Sequence, residues 1–236
     1  MKSSAALQFG GMFAIALGIA KLASAVMYLM LSPELRAEIP AAQFLPAFFQ
    51  NPSLLLAFFW IEALVGVLGI GVVPALSSLV ESGHEGWVRW AATLATAGFV
   101  ISSVGYTLSV AKLPGIAAAF VAGDPSTKAA LAAVWKSSID LLGIWGYGAV
   151  GVWVLVISVL SVRLEKLPRL ASYLGILLAI LFLLVPLGTI LKSQSILLVA
   201  AGAGAIVGPI WWIWSGMTLT RAAGSLHAEA ATAASS

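Results

Sequence analysis

Six times along the chain an apolar run long enough to cross a bilayer recurs, and no other feature limits the possible folds so strongly. A helix needs about 20 predominantly apolar residues to traverse a hydrocarbon core roughly 30 Å thick. The runs at residues 7–31, 52–80, 87–112, 138–162, 170–191 and 195–219 meet that length. They predict an all-α, polytopic membrane bundle of six transmembrane helices. Composition agrees: 61% of residues are hydrophobic and 9% charged, with a mean hydropathy of +1.05, against about 25% charged in an ordinary soluble domain. With 236 residues, short connections leave no room for an appended soluble domain. Residues 1–221 are expected to form one transmembrane domain, followed by a disordered tail at 222–236, which is small and polar.

The connections carry their own signals. The first 25 residues have the outline of a signal peptide, but the apolar stretch resumes after Lys21 and reaches a full span, so it is read as the first helix. Residues 32–51 contain Pro33, Pro40 and Pro46 with mixed charges, predicting a wet loop with an interfacial segment, whose Phe44, Phe48 and Phe49 lie among headgroups. Asp124-Pro125-Ser126 resembles a helix start, so the third connection is expected to hold a short interfacial helix at residues 127–136. Trp87 and Trp90, and Trp211, Trp212 and Trp214 near the end of the sixth run, are expected in interfacial belts.

Charge patterning excludes some partners and orients the chain. The formal charge of +3 comes from scattered loop Lys and Arg rather than a basic run, so nucleic-acid binding is not expected. The cluster RLEKLPR at residues 163–169 occupies a short loop, where the positive-inside rule has most force. Both termini are therefore expected in the cytoplasm of a multi-pass inner (plasma) membrane protein. Cysteine is absent and the only histidines are His84 in a turn and His227 in the tail. No metal site, cofactor or catalytic residue is assigned on these residues, and the reading leans away from an enzyme.

Against this background one residue stands out. Residues 57–74, AFFWIEALVGVLGIGVVP, place Glu62 inside an apolar run, where a carboxylate costs about 2.5–3.5 kcal/mol on insertion scales unless it finds a cation, a proton or a wet cavity. At helical spacing the polar residues form stripes: Lys21, Ser24 and Tyr28; Glu62, Gly66 and Gly69; Ser102, Tyr106 and Ser109; Lys136, Asp140, Gly143 and Tyr147. Counting about 1.5 Å per residue from each loop brings Lys21 and Glu62 to similar depth, with Asp140 one turn below the outer surface. Two readings follow. Lys21 and Glu62 form an ion pair that docks the first two helices, or Lys21, Glu62, Tyr106, Asp140 and Tyr147 line an outward-facing polar pocket.

The Glu-bearing helix FFWIEALVGVLGIGVVPAL, the acid- and glycine-bearing WKSSIDLLGIWGYGAVG, the turn LPRLASYLGILLA with Leu167-Pro168-Arg169 before Gly175, and a Trp-rich last helix together resemble a bacterial family of small six-helix membrane proteins catalogued as a domain of unknown function. Its members carry His-Asp-Trp in the fourth helix, where this chain has Ser138-Ile139-Asp140. The resemblance implies the fold and lends no activity. The expected function is binding or transport of a small polar or amphipathic molecule. The alternatives are a non-catalytic accessory subunit of a larger membrane complex and a lipid-modifying enzyme. The expected partners are membrane lipids, a small-molecule ligand, and a helix-mediated oligomer or partner membrane protein.

Overall fold

The computed structural model describes residues 4–36, 39–136, 139–140 and 143–235, with side chains described as far as 226. Every regular element among them is helical: α1 (Ser4–Met30), α2 (Ala41–Gln50), α3 (Ser53–Val80), α4 (Glu85–Ala122), α5 (Pro125–Val134), a π-helical turn at Ile144–Ala149 running into α6 (Val150–Leu164), α7 (Arg169–Ile190) and α8 (Gln194–Ser235). Among the described residues six helices are long and apolar enough to cross a membrane: α1, α3, α4, α6 with its π turn, α7 and α8. The chain is a multi-pass membrane protein.

These six spans pack in chain order around a ring, α1 on α3, α3 on α4, α4 on α6, α6 on α7 and α7 on α8, and the ring closes where α8 returns to α1. Lipid offers no hydrophobic drive for this assembly, so close approach of backbones has to hold it. At the closing seam Gly11 lies against the carbonyl of Gly216 and Gly18 against that of Pro209; a Cβ there would fall 2.8 and 2.9 Å from those oxygens. Large apolar side chains such as Leu22, Leu64, Val67 and Ile180 cover the outside of the ring. The outer surface of the ring is therefore apolar, as expected for spans that meet lipid, while the few buried polar residues lie inside.

Three differences from the sequence reading have physical causes. The third span does not stop at Lys112, because α4 continues to Ala122 through Pro114. The proline forfeits one backbone hydrogen bond, while Leu113, Ala117 and Phe120 bury on one face against Phe44, Leu45 and Phe48 of α2 and hold the helix together. Within residues 32–51 the segment from Ala41 to Gln50 is likewise helical despite its proline. Pro40 precedes α2, Pro46 sits inside it, and Phe44 and Phe48 point into this second core while Phe49 stays exposed. Trp211 and Trp212, expected in an interfacial belt, are 0% and 1% exposed; Trp212 stacks on Trp153 at 6.1 Å and meets Trp211 edge-on at 4.6 Å. The last helix, α8, is described from Gln194 to Ser235.

At 38 residues and about 1.5 Å each, α4 is roughly 57 Å long, well beyond the thickness of a hydrocarbon core. Its excess carries α2 and α5 as a cap over one end of the ring, and Phe44 packs on Trp135 at 4.4 Å. The helix start expected at Asp124 is formed. Its carboxylate accepts the Thr127 N–H at 2.7 Å and the Ser126 hydroxyl at 2.9 Å, and the Thr127 amide holds the Asp124 carboxyl below the usual carboxylate range. The termini and the α6–α7 loop lie at the other end of the ring.

Candidate functional site

The expected start of the fourth span, Ser138, lies outside the described residues; the helical path is first seen at Ile144. Gly143 precedes it at φ +66°, a left-handed conformation in which a Cβ would be strained. Asp140 then closes the helix end. Its Oδ1 accepts the N–H of Trp145 at 3.1 Å and its Oδ2 that of Gly146 at 2.6 Å, satisfying donors that a first turn leaves without partners. The π turn follows at once, and such turns recur at functional positions because they displace side chains from the regular helical register. Here it accompanies Tyr147 turned inward, with its ring edge-on to Phe182 of α7 at 5.6 Å.

Lys21 of α1 and Glu62 of α3 meet between neighbouring helices of the ring. Each sits nine residues from the cap end of its helix, Met30 for one and Ser53 for the other, so both are about 14 Å from that end. Lys21 Nζ donates to Glu62 Oε2 at 2.7 Å, and the Ser24 hydroxyl donates to Glu62 Oε1 at 2.6 Å. Both carboxylate oxygens are thus satisfied, which a buried charge requires. The pair is asymmetric, with side-chain exposures of 23% for Lys21 and 6% for Glu62.

A cavity of about 40 Å³ opens beside the pair, lined by Lys21, Glu62, Ser102, Tyr106 and Tyr147, with Trp212 among its apolar walls. That volume accommodates one or two waters and is far below the roughly 300–1,000 Å³ of a drug-sized ligand pocket. Tyr106 is within electrostatic reach of Tyr147, Glu62 and Asp140. Toward the cap end, Phe58 and Phe59 stand 6.4 and 5.9 Å from the Tyr106 ring, and Tyr28 packs on Phe58 at 6.0 Å. An aromatic collar therefore lies between the cavity and the cap.

All five residues singled out from the sequence come together around this space. Lys21, Glu62, Tyr106 and Tyr147 line it directly, while Asp140 stands behind Gly146 and shapes the wall through the helix end. Sequence reasoning missed Ser102 as a lining residue and Ser24 as the second partner of the Glu62 carboxylate. Ser24 lies one turn beyond Lys21 on its stripe and Ser102 one turn before Tyr106, so the signal was spacing within stripes already drawn. Among the described residues no three His, Asp or Glu converge as a metal site would require.

The wall also depends on a close crossing. A Cβ on Gly98 of α4 would fall on the Trp145 carbonyl oxygen of the π turn, and that contact is with backbone and cannot rotate away. Gly98→Ala should therefore push α4 and the turn apart and destabilise the fold by about 1–3 kcal/mol. Thermal unfolding in detergent reads this directly; a melting temperature equal to wild type would mean that the crossing is looser than described.

A family model described as a domain of unknown function, DUF4386, matches residues 10–216. No curated protein and no solved structure matches the chain.

Proposed function

The chain belongs to the DUF4386 family, a domain of unknown function, and from that premise we propose that it binds or carries a small polar solute through the Lys21–Glu62 cavity, with the ion pair as the charge switch. The observation that carries this reading is convergence. Four separate spans deliver Lys21, Glu62, Tyr106 and Tyr147 to one cavity, where an adhesive pair alone would need two. A solute or proton that engages Glu62 competes with Lys21, so occupancy and helix contact are coupled through one bond. The cavity's size favours a solute of a few atoms, and a larger amphipathic molecule would require the aromatic collar to part. Asp140 holds the helix end that carries Tyr147 in place.

The same proposal sets the membrane frame. Trp87 and Trp90, both exposed, mark the interface at the terminal end, and Arg163, Lys166 and Arg169 cluster there. This supports cytoplasmic termini in an inner (plasma) membrane, with the cavity nearer the outer surface and α5 lying along it. A lipid-modifying enzyme is less well supported, because the hydroxyl nearest the carboxylate, Ser24, is 4% exposed and does not line the cavity.

A thermal-shift screen of the purified protein with small polar solutes, anions and cations tests the reading, with Glu62→Gln as control. A solute at about 100 times its dissociation constant stabilises the folded state by roughly 2.7 kcal/mol. One class should raise the wild-type unfolding temperature and leave the variant unmoved. If nothing shifts the wild type, or every shift persists in Glu62→Gln, the cavity is not a binding site.

A further inference from the structure

A second hollow lies at the terminal end of the ring, between the start of α4 and the last turns of α6, and its chemistry differs from that of the cavity above. Its volume is about 370 Å³, and it is lined by Val156, Val159, Leu160, Trp87, His84 and Arg163. The apolar members follow one face of α6, while the two basic members, His84 just before α4 and Arg163 in the last turn of α6, lie at the terminal end. The wall is thus graded from hydrocarbon to cation over a few turns of helix.

The charges around the mouth decide what fits. Glu81 is held by Arg89 at 2.7 Å and Glu165 by Arg169 at 2.9 Å. Glu85 is turned back to accept the Gly83 N–H at 3.0 Å. Arg163 consequently has no carboxylate partner among the described residues, and its guanidinium is exposed beside the groove. Trp87, 68% exposed and edge-on to Trp90 at 5.9 Å, is a ring of the kind that settles at headgroup depth. An anion-seeking guanidinium above an apolar groove at that depth matches a molecule with a phosphate at one end and hydrocarbon at the other.

We propose that this groove is a binding site for an anionic phospholipid of the leaflet at the terminal end, with its phosphate on Arg163 and His84 and an acyl chain along Val156, Val159 and Leu160. Arg163 supplies the fixed charge and two parallel N–H donors for phosphate oxygens; the His84 imidazole offers an N–H in either protonation state. The site lies away from the Lys21–Glu62 cavity and stands or falls independently of it.

Native mass spectrometry and thermal unfolding in a neutral detergent test the proposal, with phosphatidylglycerol, phosphatidylcholine and inorganic phosphate as separate additions. Phosphatidylglycerol should remain as a one-to-one adduct and raise the unfolding temperature more than phosphatidylcholine does. Arg163→Gln, at an exposed position, should weaken phosphatidylglycerol binding about fivefold. Val159→Trp should displace the adduct by filling the groove with Arg163 intact. Lys166→Gln, which removes the same charge outside the groove, should leave the preference in place. Equal binding of the two lipids, an Arg163→Gln variant that keeps the preference, or loss of it in Lys166→Gln would each overturn the assignment. Stabilisation by inorganic phosphate equal to that by the lipid would do the same, by making the site one for free phosphate.

Discussion

Lys21→Met is expected to lower the unfolding free energy by about 3–5 kcal/mol, the range for removing one partner of a buried pair. The loss comes less from the missing attraction than from what remains. Among the described residues Glu62, 6% exposed at its side chain, then keeps only the Ser24 hydroxyl at 2.6 Å, and no other cation lines the cavity. The double variant Lys21→Met/Glu62→Met should recover most of that stability, since apolar replacement of a whole pair is often neutral or better. Chemical or thermal unfolding of the two variants in one detergent measures both numbers. The comparison also separates the pair's two possible roles. An adhesive pair predicts that the double variant is as competent as wild type in any solute-binding assay, whereas a working pair predicts a stable protein that no longer responds. A single variant as stable as wild type would mean that the two charges do not meet in the membrane.

The second large effect is expected at the cavity floor. Trp212 is 1% exposed, stacked on Trp153 at 6.1 Å with an interplanar angle of 20°, and 6.2 Å from Phe99. Trp212→Ala should cost about 3 kcal/mol, the lower end of the range for truncating a buried Trp, because lipid rather than water is the competing environment for the exposed apolar surface. Trp212→Phe should retain most of the stacking and cost less. The truncation also extends the space beneath Lys21, so solutes excluded from about 40 Å³ should begin to stabilise the alanine variant. An unfolding temperature unchanged by Trp212→Ala would contradict the tight packing described for this floor.

Much of this architecture is legible in the residues because membrane helices are written as uninterrupted hydropathy, and the six runs need no long-range information to be found. Depth is legible as well. Lys21 and Glu62 are each nine residues from the same end of the ring, and counting along the helix from a loop recovers that equality without a structure. Features that depend on a neighbour are harder to read. Pro114 looks like a stop until α2 is known to cover Leu113, Ala117 and Phe120. Trp211 and Trp212 look like anchors because an interfacial and a buried tryptophan near a helix end share one local signature. The glycines at 143, 146 and 148 read as packing residues, yet one of them permits a left-handed turn and the Asp140 carboxylate caps the next. That arrangement depends on a backbone departure from the α-helical path, which hydropathy does not record.

The closed ring has a consequence for how the protein is made. Translation delivers α1 first and α8 last, yet these two share the seam where Gly11 and Gly18 touch the opposing backbone. Until the sixth span arrives, α1 lacks its tightest neighbour and carries a lysine in lipid. Glu62, in the second span, is the first carboxylate after it to enter the ring of spans, and it takes that charge through the 2.7 Å bond. The bond that borders the cavity therefore joins the first two spans, whose contact does not depend on the seam that the last span closes.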